Sequence, residues 1–447
     1  MSRLVKSEAA PQSDRRPPMV MAAAQTYGSY LMASAGGLAN VVLTARMLGA
    51  TGRGEIAFLT TVANLVAFLA SLSAYEAMIN ISGSRPAERR ALAGSSVILA
   101  IVLGTVGAAA AWIALWAIPA PGVRFTNVDV MIAISAIPVS ICQTYFLYLT
   151  RASYDLATAS LGWISAPLAT LALNGTFAVV GGLTTRVAIA NWVIGLAVSA
   201  GLLVVHVGRT SGFAMPTTSL VRQILGFGLR SHVGGVMVTG SYRLDHWILG
   251  AVAGARELGT YSVAVAWFDA IAHLSRAVSV TFRPDLLRAS RDEAGRQSAR
   301  IFRACAVVVL VLVGATVLAA PILCVTIFGS EFSDSVLDLR ILAVSAFGVM
   351  ALNIFGTALV AQQRPLLESA AHGAGFAIAI VLFVVMIPPF GSTGAAIGSA
   401  ISYLACGAVA MYLVRRTLNL TYGELLPRAS DFAYPVRLLR RQGARHG

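Results

Sequence analysis

The sequence predicts an all-α integral membrane protein with about 12 transmembrane helices. Hydrophobic residues make up 57% of its 447 residues and charged residues only 12%, whereas an ordinary soluble domain carries about 25% charged residues. The apolar residues form runs of about 20, the length with which an α-helix crosses a bilayer. The period-two alternation of a membrane β-barrel is absent, so helices are the element that satisfies the backbone in lipid.

Twelve apolar runs define the predicted helices. They lie at residues 19–45, 56–80, 91–118, 127–149, 154–180, 187–207, 223–250, 257–282, 299–327, 335–361, 366–388 and 394–414. Residues 283–298 form the longest internal loop of this prediction, a basic segment expected to lie on the membrane surface. No predicted loop is long enough to fold as a catalytic domain.

A short pattern occurs twice and divides the chain into two halves. The triplet LGA at 48–50 recurs at 249–251, which is 201 residues later, and Gly54 recurs as Gly259 at an offset of 205 residues. Each half holds six predicted helices, as in transporters whose two repeats enclose a central cavity. The pattern therefore predicts two pseudo-symmetric six-helix lobes around such a cavity.

The predicted domain organisation has four parts. Residues 19–210 form the first lobe with helices one to six, and residues 211–415 form the second lobe with helices seven to twelve. Residues 1–18 are predicted to be a disordered cytoplasmic tail, and residues 416–447 a basic cytoplasmic tail.

The distribution of basic residues predicts the orientation of the chain. With the N-terminus in the cytoplasm, the cytoplasmic segments carry 24 of the 33 Lys and Arg residues and the outer loops carry 5. Such a bias follows the positive-inside rule and predicts that both termini are cytoplasmic. The expected location is the plasma (inner) membrane of a bacterial-type cell. The basic residues lie between apolar runs and not on one face, so the net charge of +14 does not indicate nucleic-acid binding.

Several sequence segments, in their order and spacing, resemble one transporter family. They are ARMLGATGRGEIAFLTTV (45–62), DHWILGAVAGARELGTYSVAVAW (245–267), FRPDL (282–286), FGSEFSDSVLDLRILAVSAFG (328–348), GTALVAQQRPLLESAA (356–371) and PPFGSTGAAIGSAIS (388–402). The family is that of the oligosaccharide and polysaccharide-lipid flippases, such as O-antigen or exopolysaccharide-repeat flippases. It belongs to the multidrug/oligosaccharidyl-lipid/polysaccharide superfamily.

The resemblance implies a transporter that flips a polyprenyl-diphosphate-linked oligosaccharide from the cytoplasmic to the outer leaflet by alternating access. Such a protein serves cell-surface polysaccharide biosynthesis. Its implied partners are the lipid-linked substrate, membrane lipid, and a glycan polymerase or glycosyltransferases of the same pathway. With twelve predicted helices, the sequence is expected to differ from the peptidoglycan-precursor branch, which has an extra C-terminal helix pair, so lipid II is a less expected cargo. The alternative is a cation-coupled multidrug exporter of the same superfamily.

The predicted eighth helix carries the first candidate binding residues. Asp269, His273 and Arg276 occupy positions i, i+4 and i+7 and share one helix face. A diphosphate needs fixed cations in a low-dielectric cleft, and Arg276 lies toward the cytoplasmic side, where a donor would be loaded. Asp269, with His273 one turn away, is a candidate carrier of a coupled ion. The alternative is a structural bridge between Asp269 and Arg276.

Two other predicted helices carry the remaining candidates. On the seventh helix, Arg230 lies near the cytoplasmic start, and Arg243 and Asp245 lie toward the outer end. Arg230 and Arg243 are candidate phosphate ligands at the loading side and at the outer exit, and the alternative is a bridge between Arg243 and Asp245. Glu76, in the second helix, is a further candidate for ion coupling.

Aromatic residues of the predicted helices are candidates for stacking on sugar rings, with interfacial anchoring as the alternative. They are Tyr27, Tyr30, Tyr145, Tyr148, Tyr242 and Trp267. The sequence contains no nucleophile elbow, phosphate-binding loop or zinc-binding helix motif. Neither an enzymatic activity nor a cofactor is therefore predicted.

Overall fold

The computed structural model describes residues 19–117 and 125–425, and every element of regular secondary structure in these ranges is helical. This confirms the predicted all-α fold class. The predicted tail at 1–18 and residues 426–447 of the predicted C-terminal tail lie outside the described residues.

Helices account for nearly all of the described chain. Their bounds are α1 Met19–Ala70, α2 Ala74–Ser84, α3 Arg89–Ala117, α4 Asn127–Ala152, α5 Leu156–Val179, α6 Thr185–Thr210, α7 Thr218–Val252, α8 Ala255–Arg288, α9 Arg291–Pro321, α10 Ser335–Ala361, α11 Pro365–Thr417 and α12 Tyr422–Leu425. Among these described helices, eight are long and apolar enough to cross a membrane, so the chain is a multi-pass membrane protein. The total of twelve spans stays a prediction, because α7 and α8 are long enough but more polar.

Two of the helices, α1 and α11, are each bent at one glycine. They contain 52 and 53 residues, a length of about 80 Å at 1.5 Å per residue, which is more than twice the thickness of a bilayer core. Gly49 in α1 has φ 68° and Gly391 in α11 has φ 52°, a region that glycine adopts without steric penalty. Each long helix therefore consists of two segments, with the break where the sequence predicted one.

An acidic side chain caps the new helical segment after each bend. Glu331 Oε2 accepts a hydrogen bond from the Ala50 amide at 3.0 Å, and Glu257 Oε2 accepts one from the Ser392 amide at 2.8 Å. The first N–H groups of a helical segment lack partners within the helix and carry positive partial charge. The two carboxylates therefore stabilise both bends.

The predicted loop at 283–298 is mostly helical, so this prediction was wrong. α8 continues to Arg288, and α9 begins at Arg291. The 34 residues of α8 span about 51 Å, whereas a bilayer core is about 30 Å thick. A run of apolar residues marks only the part of a helix that lies inside the hydrocarbon. Both α8 and α9 extend beyond the hydrocarbon.

The predicted second helix, 56–80, is divided between the end of α1 and α2. Leu72 and Ser73 interrupt it with φ values of 48° and 49°. The Tyr145 hydroxyl of α4 donates a hydrogen bond to the Ser71 carbonyl at 2.7 Å and so fixes the backbone at the break.

The helices pack in two groups that follow chain order. In the first half, α4 packs against α3 and α6, and α5 packs against α1 and α6. In the second half, α10 packs against α8, α9 and α11, and α7 packs against α11. Contacts between the halves join α1 to α8 and both α1 and α2 to α7. The exact lobe boundaries, 19–210 and 211–415, stay a prediction.

Candidate functional site

The repeated glycines of the two halves meet at the predicted outer end of the bundle. Gly54 of α1 faces the Ala255 carbonyl and the Gly259 amide of α8, and Gly259 faces the Ala50 carbonyl and the Gly54 amide. A Cβ atom added to Gly54 would lie 2.9 Å from the Gly259 nitrogen, and one added to Gly259 would lie 3.1 Å from the Gly54 nitrogen. The sequence repeat thus forms a reciprocal contact in which the two backbones touch.

Hydrogen bonds close the same end of the bundle. Arg46 of α1 donates through Nε to the Ile327 carbonyl at 2.7 Å and through Nη2 to the Thr326 carbonyl. Glu331 adds its bond to the Ala50 amide. All of these contacts join the first half to the second. The predicted outer end is therefore closed in this structure.

Four of the predicted site residues come together between α7 and α8. Arg243 Nη2 lies 3.4 Å from Asp269 Oδ2, an ion pair that crosses the two helices. Arg276 interacts electrostatically with His273 and with the Tyr242 hydroxyl. His273 also interacts with Asp269 and Arg243. We call Arg243, Asp269, His273 and Arg276 the cationic cluster.

Side chains of α11 border the cationic cluster. The Tyr242 ring lies 5.5 Å from the Tyr403 ring and 6.1 Å from the His372 ring, measured between centroids. His372 is a second histidine that interacts with Arg276. Helices α7, α8 and α11 therefore converge on Arg276.

The ion pairing differs from both bridges that the sequence offered as alternatives. Arg243 pairs with Asp269 and not with Asp245, because residues two apart on a helix point to different sides. Asp269 and Arg276 are separated by seven residues, which is about 10.5 Å along the helix axis. In the described part of the chain, Arg276 has no carboxylate within ion-pair distance.

The cationic cluster lies deep within the length of its helices. Asp269 is 14 residues from the start of α8 and Arg276 is 12 residues from its end, which places each about 18–21 Å from a helix terminus. The side chains of Arg243 and Asp269 are 46% and 38% exposed, and Arg276 is also exposed. Exposed charge in hydrocarbon costs several kcal/mol, so we infer that these side chains face a water-accessible cleft and not lipid.

Asp245 belongs to a separate, buried network. It is 2% exposed, and its carboxylate accepts hydrogen bonds from the Tyr261 hydroxyl at 2.6 Å and the Ser399 hydroxyl at 3.2 Å. His246 Nδ1 lies 2.9 Å from the same carboxylate. Because the buried charge is fully hydrogen-bonded, the network holds together α7 and α8, which carry the cationic cluster, and α11, which borders it.

Arg230 is exposed on α7, nearer its start. Its Nε donates to the Gly226 carbonyl at 3.0 Å, and no carboxylate pairs with it among the residues the structure describes. Two positions on, His232 is buried, with Nδ1 2.9 Å from the Ser73 hydroxyl and its ring stacked on Phe68 at 5.3 Å. The contact of His232 with Ser73 and Phe68 also joins the two halves, and it lies farther from the predicted outer end than the glycine contact does.

Glu76 is half-buried on α2, beside aromatic side chains of the first half. The Tyr75 and Tyr148 rings stack with centroids 4.5 Å apart, and Glu76 interacts electrostatically with both. No positive side chain pairs with Glu76 within the described ranges. Glu76 therefore stands apart from the cationic cluster.

Arg151, at the end of α4, is a basic residue that lies among aromatic side chains. Its guanidinium lies 5.4 Å from the Tyr148 ring and 5.8 Å from the rings of Tyr30 and Trp163, and it donates to the Tyr30 hydroxyl at 3.2 Å. Such cation–π contacts stabilise an arginine without a carboxylate. Two of the six candidate sugar-stacking aromatics are thereby brought together.

The other aromatic candidates have different surroundings. Tyr145 is buried with its hydroxyl on the Ser71 carbonyl, and Trp267 Nε1 donates to the Leu323 carbonyl at 3.1 Å. Both are packing residues in this structure. The side chain of Tyr27 lies outside the described part.

The sequence matches the family described as polysaccharide biosynthesis protein over residues 43–337, about two thirds of the chain. The chain belongs to this family. All seven predicted site residues fall within the matched region. None of the curated proteins matches the sequence.

Solved structures share the fold of this polysaccharide biosynthesis protein at low sequence identity. The lipid II flippase MurJ in an inward closed conformation has a TM-score of 0.70 at 11% identity, with 94% of this chain and 96% of that chain covered. An inward-facing multidrug resistance MATE transporter of the MOP superfamily has a TM-score of 0.68 at 14% identity, with 89% of this chain and 98% of that chain covered. A MOP superfamily transporter from Pyrococcus furiosus has a TM-score of 0.62 at 13% identity, with 90% of this chain and 95% of that chain covered. The protein therefore has the MOP transporter fold.

This polysaccharide biosynthesis protein also contains an apolar cavity of about 580 Å³ between its two halves, apart from the cationic cluster. None of the seven predicted site residues lines it. Within the described residues, no group of three His, Cys, Asp or Glu side chains could hold a metal ion.

Proposed function

We propose that the protein moves a polyprenyl-diphosphate-linked oligosaccharide from the cytoplasmic to the outer leaflet of the plasma membrane. The observation that carries this proposal is the cationic cluster, whose arginine and aspartate side chains are exposed along α7 and α8. Of its two arginines, only Arg243 is paired with a carboxylate among the described residues, and Arg230 adds another exposed guanidinium on α7. The cleft therefore presents uncompensated positive charge, which suits an anionic cargo.

Arginine is suited to a diphosphate headgroup. Its planar guanidinium donates two parallel hydrogen bonds to phosphate oxygens, and it stays charged even in a low-dielectric cleft. Arg276 is flanked by His273 and His372, whose ring N–H groups are further donors to phosphate oxygens. In this proposal Arg276 holds the diphosphate and Arg230 receives it at the cytoplasmic side. Arg243 exchanges Asp269 for phosphate as the headgroup moves outward.

Alternating access supplies the movement. The outer end is closed by the Gly54–Gly259 contact and the hydrogen bonds of Arg46 in this structure. A headgroup loaded from the cytoplasmic side leaves only after these contacts separate. The predicted cytoplasmic segments carry 24 basic residues and the predicted outer loops carry 5, which supports loading from the cytoplasm and a cytoplasmic location of both termini.

Membership of the polysaccharide biosynthesis family supports the saccharide part of the cargo. In this proposal a glycan polymerase or glycosyltransferase of the same pathway makes or consumes the lipid-linked glycan. The multidrug exporter alternative requires uncompensated carboxylates in the cleft. Asp269 is ion-paired and Asp245 is fully hydrogen-bonded, whereas Glu76, which has no positive partner among the described residues, lies apart from the cationic cluster.

Reconstituted vesicles test the proposal. A fluorescent polyprenyl-diphosphate disaccharide is added to proteoliposomes, and its arrival at the far leaflet is followed with an impermeant quencher. We expect Arg276→Ala to slow arrival at least tenfold, because a charge-assisted hydrogen bond contributes about 1.5–3 kcal/mol. Arg340→Ala is the matched control, since Arg340 is an exposed arginine of α10 whose Nε donates to the Val317 carbonyl. Equal rates for wild type and Arg276→Ala would place the headgroup elsewhere.

A further inference from the structure

The apolar cavity of about 580 Å³ takes no part in the site described above. Its first wall consists of α1 between Phe58 and Leu69 with the end of α3 and the start of α4, and its second wall consists of α7 with Phe376 of α11. Seven of the lining residues are tryptophan or phenylalanine, including Trp112 and Trp247, and most of the others are aliphatic. The volume lies within the range of small-molecule binding sites.

Helix α7 brings this cavity next to the cationic cluster. Val236, Gly240, Leu244 and Trp247 line the cavity and recur at spacings of three and four residues, so they form one helix face. Arg243 is three residues after Gly240 and four before Trp247, which places it on the same face. Its side chain is 46% exposed. One face of α7 thus carries apolar side chains that line the cavity and, beside them, Arg243, which pairs with Asp269 of the cationic cluster and does not itself line the cavity.

We propose that this cavity binds the isoprenoid chain of the lipid-linked substrate while its diphosphate lies at the cationic cluster. The inference rests on the proposed function and adds the location of the lipid chain. A ligand that fits both features has an apolar tail joined directly to an anionic head. A polyprenyl diphosphate has this chemistry.

The margin of the cavity carries exposed apolar side chains, from which we infer that it opens to the bilayer. Trp116 is 83% exposed and Leu69 is 40% exposed, and both belong to its lining. Large apolar side chains exposed on membrane helices contact lipid. The cavity holds the part of the chain nearest the diphosphate, and the remainder extends through this opening into the membrane.

The two halves meet along two interfaces, one between α1 and α8 and one between α1 and α7. At the predicted outer end, the interface between α1 and α8 has no room for an isoprenoid chain. Gly54 and Gly259 bring the backbones of α1 and α8 into contact there, and a Cβ atom on Gly54 would lie 2.9 Å from the Gly259 nitrogen. The interface between α1 and α7 contains the cavity instead. The difference between the two interfaces assigns the isoprenoid chain to the α7 side.

Photo-crosslinking in nanodiscs tests the inference directly. The probe is a polyprenyl diphosphate with a diazirine in one of the isoprene units nearest the diphosphate, and adducts are mapped by mass spectrometry. We expect adducts on α7 between Val236 and Ala251 and on α1 between Phe58 and Leu69. Unlabelled polyprenyl diphosphate should reduce them at least tenfold, and the same concentration of phospholipid less than twofold. Equal competition by phospholipid would show that ordinary lipid fills the cavity and would overturn the inference.

Cavity-filling variants test its role in transport. Leu65→Trp and Val236→Trp fill the cavity from opposite walls, so one remains informative if the other fails to fold. Leu310→Trp is the matched control, because Leu310 is 59% exposed on α9 and does not line the cavity. We expect each filling variant to slow transport of the fluorescent glycolipid at least tenfold, with the control within twofold of wild type.

The results separate this inference from the proposed function. Wild-type transport together with undiminished transport by a folded filling variant would overturn the chain site and leave the function standing. Absence of transport by the wild-type protein would contradict the function, and the chain site with it.

Discussion

Replacing Gly259 by alanine should open the outer end of the protein. The Cβ atom of Gly259→Ala would lie 2.8 Å from the Ala50 carbonyl carbon, closer still to its oxygen, and 3.1 Å from the Gly54 nitrogen. Ordinary contacts are 3.4–4 Å, and these atoms belong to backbone that cannot rotate away. The two helices must therefore separate by more than half an ångström before the methyl group fits.

The size of the effect follows from the cost of overpacking, which is about 1–3 kcal/mol for extra atoms in a packed interface. The contact exists only while the outer end is closed, so the penalty falls on the closed state alone. A free-energy difference of that size between the closed and open states shifts their equilibrium about 5- to 150-fold. We expect the ratio of outward-open to closed protein to rise by this factor.

Electron-electron double resonance measures the shift. Spin labels at Thr51 and Arg256, both exposed near the outer ends of α1 and α8, report the separation of the halves in a background without the four native cysteines. Gly201→Ala is the matched control, because a Cβ atom at Gly201 has no neighbour within 4 Å. An unchanged distance distribution in a folded Gly259→Ala protein would refute the role of the glycine contact as the outer closure.

Two further predictions concern stability, measured as thermal unfolding in detergent. A double-mutant cycle with Arg243→Ala and Asp269→Asn should give a coupling free energy of unfolding below about 1 kcal/mol, because both side chains are substantially exposed. A coupling free energy above about 3 kcal/mol would mean that the ion pair is desolvated. Glu257→Ala should lower stability by about 1 kcal/mol, because the Ser392 amide loses its cap; an unchanged Tm would show that the carboxylate does not stabilise the bend.

The sequence predicted the parts of the fold that lipid imposes on any chain. Apolar runs locate the hydrocarbon-spanning parts of helices, and the bends at Gly49 and Gly391 fall in predicted breaks. The same runs could not show that α8 continues to Arg288, because a helix outside the hydrocarbon has ordinary polar composition. Periodicity did predict that Asp269 and Arg276 share a helix face, since this depends on spacing within one helix.

Contacts between helices could not be predicted in the same way. Arg243 finds Asp269 on the neighbouring helix, a choice fixed by how α7 and α8 are rotated against each other. Asp245 hydrogen-bonds Ser399, 154 positions along the chain. Such distant pairings leave no periodic signal in one sequence.

The aromatic surroundings of Arg151 and the apolar cavity were also missed. Tyr30, Tyr148 and Trp163 lie on three different helices, and only the fold brings them to one guanidinium. The cavity is space left between the halves, whereas sequence patterns report which residues are apolar and not where packing is incomplete.

One measurement on the wild-type protein tests the proposed cargo most directly. Proteoliposomes receive a fluorescent polyprenyl-diphosphate disaccharide in one experiment and a cationic dye with an imposed pH gradient in another. We predict protein-dependent arrival of the glycolipid at the far leaflet and no export of the dye. Export of the dye without movement of any lipid-linked saccharide would contradict the account and favour the multidrug exporter.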